Sequence, residues 1–319
     1  MKTGRSQVAV IDPMKTLVTG AGGLLGKEFA AVKRDGLEIV GLNRLELDVT
    51  NRPSVERAFD AHKPDVVVNC SVILNVDKCE ADPELCFGVN RDGVRNLLEV
   101  IIETGRPATF VQISSSEVFG RVNDGEFEIN GYTEDDDPRP VSNYQKSKAQ
   151  AEEVVKKICA GNPNSFPRWF VVRAGWLYGQ GRPTFVEQFI ASLQKPEEML
   201  VISDQWRSPT PANDFVTGLF GLLGGSYRSG IYHIVDEVKP GEATTLDVLE
   251  EIKNYLGGSA RASFRMVSRK DLFKVPRAPS NVLRNTKLPK LPYWRDSLRR
   301  YLQQNRRPSH QPATLGGGR

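Results

Sequence analysis

Short apolar runs alternate with longer segments of helical periodicity along the first half of the chain. The apolar runs predict strands at residues 16–19, 38–42, 65–70, 109–113 and 169–173. The periodic segments between them predict helices at residues 24–33, 53–61, 91–104 and 142–159. Such alternation is typical of a parallel sheet covered by helices on both faces. We therefore predict an α/β fold with a doubly wound parallel sheet.

The pattern changes after residue 175, where the strands become short and the proline, tryptophan and loop content rises, as in residues 205–211. This change predicts a smaller C-terminal α/β domain that covers a site on the sheet. We expect the sheet domain at 14–175, with later segments returning to it, the covering domain mainly at 176–302, and a basic flexible tail at 303–319.

The composition indicates a globular protein. Hydrophobic residues make up 39% and charged residues 26% of the 319 residues, which excludes a largely disordered or fibrous chain. No apolar run reaches the roughly 18 residues of a membrane span, and the first 15 residues lack the features of a secretory signal. The four cysteines are interpreted as reduced thiols of a cytoplasmic protein. With only three scattered histidines, we expect no metal site.

The formal net charge of +4 comes from one end of the chain. Residues 299–319 contain five arginines and no acidic residue, so removing this segment would change +4 into −1. We interpret the segment as a solvated basic tail. No charged face with interleaved aromatic residues is evident, so nucleic acid is not an expected partner. The sequence has no signature of oligomeric state and leaves a homodimer open.

A glycine-rich segment follows the first predicted strand and opens the first helix. It has the pattern G-x-x-G-x-x-G, which permits a tight turn and brings backbone N–H groups close to a pyrophosphate. An ordinary glycine-rich turn is the alternative, but the position between strand and helix favours a dinucleotide site in a Rossmann-type sheet. The expected cofactor contacts here are Gly20, Gly22, Gly23, Leu24, Leu25 and Gly26.

The end of the second strand bears on the choice of cofactor. An acidic residue there usually binds the two ribose hydroxyls of NAD(H), whereas this chain has Asn43 and Arg44. Because a guanidinium matches a 2′-phosphate in charge and geometry, we prefer NADP(H) and keep NAD(H) as the alternative. Arg44 stacked on adenine or facing solvent is the other interpretation. Asp48 and Val49 are expected at the edge of the adenine.

Three polar residues form the predicted catalytic set. Ser115 follows the fourth strand, at the sheet edge where ligands bind. Tyr144 and Lys148 are four residues apart at the start of a helix, so they share one face. A nearby ammonium favours phenolate, and we therefore expect Lys148 to lower the pKa of Tyr144 toward working pH. Tyr144 could then exchange a proton with a carbonyl or carbinol oxygen to which Ser115 also hydrogen-bonds.

Together these features resemble the extended, nucleotide-sugar branch of the short-chain dehydrogenase/reductase superfamily, and within it the dTDP-4-dehydrorhamnose reductase family. Residues 69–80 are similar to the family segment NAAAYTAVDKAE, and residues 173–179 to RTxWVYG. Residues 204–210 are similar to DQxGSPT, and residues 277–294 to RPxNSxLDxxKL…W. The resemblance runs from about residue 14 to 302.

The resemblance implies NAD(P)H-dependent reduction of the 4-keto group of a deoxy-sugar nucleotide. By position, Tyr144 would protonate the developing alkoxide, Lys148 would hold the nicotinamide ribose, and Ser115, where the family has threonine, would orient the carbonyl. Trp176 would contact the substrate, with a core aromatic at the domain junction as the alternative. Cys70, Ser71, Val72 and Asn90 complete the expected cofactor contacts, with Asn90 supporting a water near the lysine.

The chain departs from the family motifs on the expected sugar side. The family's Tyr-Thr is Ile73-Leu74 here, its STDYVF has Glu117 in place of tyrosine, and its DQxG ends in Arg207. We expect Ser116, Glu117, Trp176 and Arg207 to contact the substrate, with Glu117 bonding a sugar hydroxyl. The precise sugar, nucleotide and product stereochemistry are not fixed by the sequence.

Two other functions stay open at the level of sequence. Residues 114–120 also resemble the S-T-[DS]-E-x-[YF]-G segment of nucleotide-sugar 4,6-dehydratases, in which the glutamate is a base, so Glu117 could serve a dehydratase or epimerase reaction. Some relatives of the reductase family are noncatalytic, NADP-binding regulatory subunits that keep the tyrosine and lysine.

Overall fold

A computed structural model describes residues 13–120 and 129–305 of the chain. Most of the predicted tail, residues 306–319, lies outside the described residues. The strands are β1 (Met14–Thr19), β2 (Leu37–Leu42), β3 (Val66–Asn69), β4 (Thr109–Ser115), β5 (Trp169–Ala174), β6 (Trp176–Tyr178), β7 (Glu198–Ile202), β8 (Pro209–Pro211), β9 (Gly230–Ile234) and β10 (Ser263–Val267).

The α-helices connect and cover these strands. They are α1 (Leu24–Ala31), α2 (Arg52–His62), α3 (Val76–Ala81), α4 (Pro83–Phe87), α5 (Gly93–Thr104), α6 (Asn143–Gly161), α7 (Phe185–Leu193), α8 (Ala212–Gly224), α9 (Thr245–Leu256), α10 (Arg269–Leu272) and α11 (Trp294–Gln304). A π-helical turn, Gly88–Asp92, joins α4 to α5. Each of the five strands and four helices predicted in the first half overlaps an element of the structure.

The central sheet contains six parallel strands in the order β2-β1-β3-β4-β5-β9. Strand order reverses between β1 and β3, and such a switch point leaves a crevice at the carboxyl ends of the strands. One buried apolar cluster on the sheet includes residues of α2, α5 and α6, and a second includes residues of α1 and α8. The predicted Rossmann-type fold class is therefore confirmed, and β9 joins the sheet from beyond residue 175.

Local sequence signals explain where the helices begin. The Asn51 side chain accepts a hydrogen bond from the Ser54 backbone N–H and so caps α2, which has Pro53 in its first turn. At α6, Ser142 and Gln145 form a reciprocal capping box. This box fixes the first turn of α6, the turn that carries Tyr144.

The C-terminal layer has its own apolar core. It includes α7, α9 and α11 with two small parallel pairs of strands, β10-β7 and β6-β8. Trp294 and Leu298 of α11 are fully buried in this core. Its strands pair apart from the large sheet, and its apolar cluster is separate from the two clusters on that sheet.

Two of the arginines assigned to the basic tail belong to the folded protein, so that part of the interpretation was wrong. Arg299 pairs with Glu251 at 2.8 Å, and Arg300 pairs with Asp214. Both arginines lie in α11, the helix that also carries the buried Trp294 and Leu298. The run without acidic residues looked like a tail because its acidic partners are distant in the sequence.

Within the described ranges, no helix combines the length and the apolar character needed to cross a bilayer.

Candidate functional site

A cavity of about 720 Å³ lies at the carboxyl edge of the sheet, beneath the C-terminal layer. Its wall contains most of the residues that the sequence singled out. Those residues are Gly20, Gly23, Leu24, Leu25, Gly26, Arg44, Asp48, Val49, Cys70, Ser71, Val72, Ser115, Ser116, Glu117, Tyr144, Lys148, Trp176 and Arg207. The topology thus brings together segments that are up to 187 residues apart in the sequence.

The glycine turn packs too tightly for side chains at two of its positions. Gly20 has a φ of +64°, and a Cβ there would stand 2.9 Å from the Cys70 carbonyl carbon. A Cβ on Gly26 would stand 2.3 Å from the Ala21 Cα. These contacts hold the first turn of α1 close to the ends of β1 and β3.

The N-terminus of α1 lies at the wall of the cavity. Its N-cap residue is Gly23, which supplies no side-chain hydrogen bond to the helix. Gly23, Leu24 and Leu25 all line the cavity. Uncapped N–H groups and the positive end of the helix dipole favour a phosphate group, so this turn fits the pyrophosphate of a dinucleotide.

Arg44 lies on the rim of the same cavity, after β2. Its side chain is 69% exposed, and its Nε stands 3.6 Å from the Asp48 carboxylate. An exposed ion pair of this length is weak, so the guanidinium can turn to another anion at little cost. The side chain of the neighbouring Asn43 accepts a hydrogen bond from the Leu45 N–H, and Asn43 is not part of the cavity wall formed by the described residues.

Gly22 and Asn90 are also absent from the part of the cavity wall that the structure describes. The Asn90 amide is used within the protein: its Oδ1 accepts from the Ile73 N–H at 2.7 Å, and its Nδ2 donates to the Ile73 carbonyl and to Ser147 Oγ. Asn90 therefore ties the cavity-lining Ile73 to helix α6. Asn90 thus lies behind the cavity wall and supports it.

The predicted catalytic set lies in one corner of the cavity. Ser115 ends β4, and Tyr144 and Lys148 project from the first turns of α6. Both α6 side chains are almost completely buried. Lys148 Nζ donates a 2.7 Å hydrogen bond to the Ile113 carbonyl on β4. This bond anchors the ammonium beside the end of the strand that carries Ser115.

The pKa shifts of the pair differ from the prediction. Burial raises the pKa of the Tyr144 phenol, the negative charge of Glu117 raises it further, and the hydrogen bond with Ser115 offsets only part of this. Burial also lowers the pKa of Lys148 to about 8, although the charge of Glu152 opposes that shift. The expectation that the Tyr144 pKa is lowered was therefore wrong, because desolvation and the charge of Glu117 outweigh the hydrogen bond with Ser115. Tyr144 is a phenol at neutral pH and is suited to donating a proton.

Glu117 and Arg207 form an ion pair in the wall of the cavity. Arg207 Nη1 donates to Glu117 Oε1 at 3.2 Å, and the guanidinium lies 5.2 Å from the centre of the Trp176 ring. Trp176 in turn stacks on Phe185 with ring centres 3.6 Å apart. Two residues that depart from the family motifs thus contact each other directly.

Several residues of the wall were not predicted as site residues. Arg182, Thr184, Phe185 and Gln188 come from α7 and the loop before it, and Phe273 and Arg277 come from the loop region after α10. Ile73 and Leu74, noted only as departures from the family motif, also line the cavity. Short motifs could not reveal the first two groups because their proximity to the sheet depends on the packing of the C-terminal layer.

No group of three or more histidine, cysteine or acidic side chains is arranged to hold a metal ion in the ranges 13–120 and 129–305.

The doubly wound sheet, the glycine turn and the Ser-Tyr-Lys set define an NAD(P)-dependent oxidoreductase of the short-chain dehydrogenase/reductase class. Within this class the chain belongs to the RmlD substrate binding domain family, whose sequence model matches residues 14–307. The resemblance inferred from the motifs is thereby confirmed.

Known proteins of similar sequence and structure agree with this placement. A dTDP-4-dehydrorhamnose reductase of Streptomyces griseus is 34% identical over 226 residues, covering 68% of this chain and 69% of that protein. The spore coat polysaccharide biosynthesis protein SpsK of Bacillus subtilis is 29% identical over 296 residues, 91% and 97% of the two chains. The crystal structure of dTDP-4-dehydrorhamnose reductase from Bacillus anthracis in complex with NADP is 25% identical, with a TM-score of 0.79 over 92% of this chain and 99% of that one.

Proposed function

We propose that this protein uses NADPH to reduce the 4-keto group of a deoxy-sugar nucleotide, as a step of deoxysugar biosynthesis. The observation that carries the proposal is the meeting of the glycine turn with Ser115, Tyr144 and Lys148 in one cavity. The names of its relatives point to the substrate class, since the Streptomyces griseus protein is a dTDP-4-dehydrorhamnose reductase.

The residues that follow the carboxyl ends of β1, β2 and β3 fit a nicotinamide dinucleotide. The N–H groups at the start of α1 would bind its pyrophosphate, and Asp48 and Val49 line the cavity next to the rim. Arg44 favours NADP(H) over NAD(H), since a 2′-phosphate would attract its exposed guanidinium more strongly than a hydroxyl would. When bound there, NADPH would supply the hydride for the ketone carbon.

Tyr144, Ser115 and Lys148 transfer the proton and stabilise the developing negative charge. Tyr144, whose raised pKa keeps it protonated, donates the phenolic proton to the oxygen of the reduced carbonyl. Ser115 hydrogen-bonds that oxygen and orients it. The Lys148 ammonium, one helical turn from Tyr144, offsets the negative charge left on the phenolate.

Glu117 is poorly placed to act as the base of a dehydratase or epimerase. Its Oε1 accepts hydrogen bonds from Arg207 and Asn281, and its Oε2 accepts one from Gln145. These three protein hydrogen bonds engage both carboxylate oxygens and hold the side chain in the ion pair with Arg207. This arrangement supports the reductase over the alternative.

Incubation with NADPH and a panel of dTDP-4-keto-6-deoxy sugars tests the proposal. We expect NADPH oxidation in proportion to the alcohol formed. Solvent deuterium at C5 without net NADPH consumption would instead indicate a dehydratase or epimerase. Tight NADPH binding with no turnover across the panel would indicate a noncatalytic subunit, and co-purification of a larger enzyme would then be expected.

We further infer two domains, at 14–175 and 176–302, with α8 and β9 returning to the first. The separate apolar core of α7, α9 and α11 supports this division. A cytoplasmic location is supported by the four unpaired thiols. A homodimer remains a proposal that sedimentation equilibrium would test.

A further inference from the structure

The Glu117–Arg207 pair is held in place from several directions. Glu117 Oε1 accepts from Arg207 Nη1 at 3.2 Å and from Asn281 Nδ2 at 2.8 Å, and its Oε2 accepts from Gln145 Nε2 at 3.2 Å. Both charged side chains are only 16% exposed. The cation–π contact of Arg207 with Trp176 fixes the guanidinium from the other side. Because both residues line the cavity, the pair presents a rigid surface to a ligand.

A neutral, preformed ion pair selects for a particular kind of ligand group. An anion would be repelled by Glu117 and a cation by Arg207, so neither gains from the pair as a whole. A hydroxyl can donate to the carboxylate and accept from the guanidinium at the same time. In the described part of the chain, Glu117 Oε2 accepts one hydrogen bond, from Gln145. Of the guanidinium nitrogens of Arg207 in that same part, Nη1 is the one that donates to an acceptor. Capacity for one hydroxyl therefore remains on both sides.

The pair lies next to the groups that act on the carbonyl. Glu117 is two residues after Ser115, and its backbone N–H donates to Ser115 Oγ at 3.2 Å. Gln145, which holds the Glu117 carboxylate, is adjacent to Tyr144 in α6. A substrate whose 4-keto oxygen meets Ser115 and Tyr144 places the neighbouring carbon atoms near the pair. Of those neighbours, C3 bears a hydroxyl, whereas C5 of a 6-deoxy sugar bears a methyl group and the ring oxygen.

We propose that Glu117 and Arg207 together bind the 3-hydroxyl of the sugar and thereby restrict the enzyme to 4-keto sugars that carry this hydroxyl. The inference rests on the proposed 4-keto reductase function. It makes the pair a specificity determinant and leaves proton donation to Tyr144.

The test compares the dTDP-4-keto-6-deoxy sugar that the protein reduces best in the panel with its 3-deoxy counterpart. The measured quantity is the ratio of the two kcat/KM values with saturating NADPH. Loss of a hydroxyl that bonds two charged groups should lower kcat/KM by ~10- to 100-fold, because the buried pair cannot regain those bonds from the ligand. Glu117→Gln and Arg207→Gln each remove one charged partner of the hydroxyl. In these variants the kcat/KM values for the two sugars should differ by no more than about threefold.

A second ion pair of the same design provides the matched control. Arg295 pairs with Glu251 at 2.6 Å and lies over the Trp294 ring at 4.5 Å, away from the cavity. Glu251→Gln should retain the wild-type ratio. Thermal unfolding and NADPH titration establish that each variant is folded.

The outcomes separate this inference from the proposed function. Equal kcat/KM for the two sugars in the wild type, or an unchanged ratio in folded Glu117→Gln, would overturn the role of the pair and leave the reductase function standing. Reduction of no sugar in the panel would overturn the proposed function and this inference with it.

Discussion

Replacing Gly26 by alanine should separate cofactor binding from the rest of the fold. The new Cβ would stand 2.3 Å from the Ala21 Cα and 2.6 Å from the Ala21 carbonyl carbon and oxygen. Carbon atoms in contact prefer about 3.5–4.0 Å, so α1 must withdraw from the glycine turn by roughly 1 Å. Because all three contacts are with backbone, no side-chain rotation can relieve them.

Two opposing terms set the size of the effect on stability. Overpacking of this kind costs roughly 1–3 kcal/mol, whereas alanine in place of glycine within a helix returns about 0.5–1 kcal/mol. The steric term is larger, and we expect a net loss of about 1–2 kcal/mol in the free energy of unfolding. The effect on NADPH affinity should be larger, since misplacing binding groups by about 1 Å can lower an enzyme's performance by on the order of 100-fold.

Fluorescence titration with NADPH and denaturant unfolding measure the two effects side by side. Gly22→Ala is the matched comparison within the same turn, because among the described residues its Cβ would approach the Asn43 Cβ at 3.9 Å, an ordinary contact. We expect it to weaken NADPH binding far less than Gly26→Ala does. Equal NADPH affinity of the Gly26→Ala variant and the wild type would refute the role assigned to the close approach of α1.

Two further predictions concern charge. The kcat/KM for reduction should fall as the pH rises through about 8. Burial lowers the pKa of Lys148 to about 8, and the ammonium is present only below that pH. A pH profile of kcat/KM that stays flat to pH 10 would contradict this. Arg44→Ala should weaken NADPH binding by about 10-fold while leaving the dissociation constant for NADH nearly unchanged, because the exposed guanidinium on the rim would bind the 2′-phosphate, which NADH lacks. Equal losses for both cofactors would contradict the assignment of Arg44.

Features that depend on the local spacing of residues were predictable. The spacing of Gly20, Gly23 and Gly26 after an apolar strand, and of Tyr144 and Lys148 on one helix face, directly reflects backbone geometry. Alternating strands and helices then sufficed for the doubly wound sheet, because parallel strands meet at a common carboxyl edge. Ser115 could be placed beside the glycine turn on that ground alone.

Features that depend on distant partners were not predictable. Arg299 and Arg300 looked like parts of a solvated tail until Glu251 and Asp214 were found beside them. The direction of the Tyr144 pKa shift depends on the depth of burial and on Glu117, which no spacing rule supplies. Arg277 entered the site through the packing of a loop that lies more than 100 residues beyond Tyr144 in the sequence.

The central claim is that Tyr144 donates the proton in an NADPH-dependent ketone reduction. Its most direct test is the rate of NADPH oxidation with dTDP-4-dehydrorhamnose by the wild type and by Tyr144→Phe, each with a measured NADPH dissociation constant. We predict turnover by the wild type and a loss of roughly 100- to 10,000-fold in kcat for the variant, with NADPH binding nearly intact. Undiminished turnover by Tyr144→Phe would contradict the account.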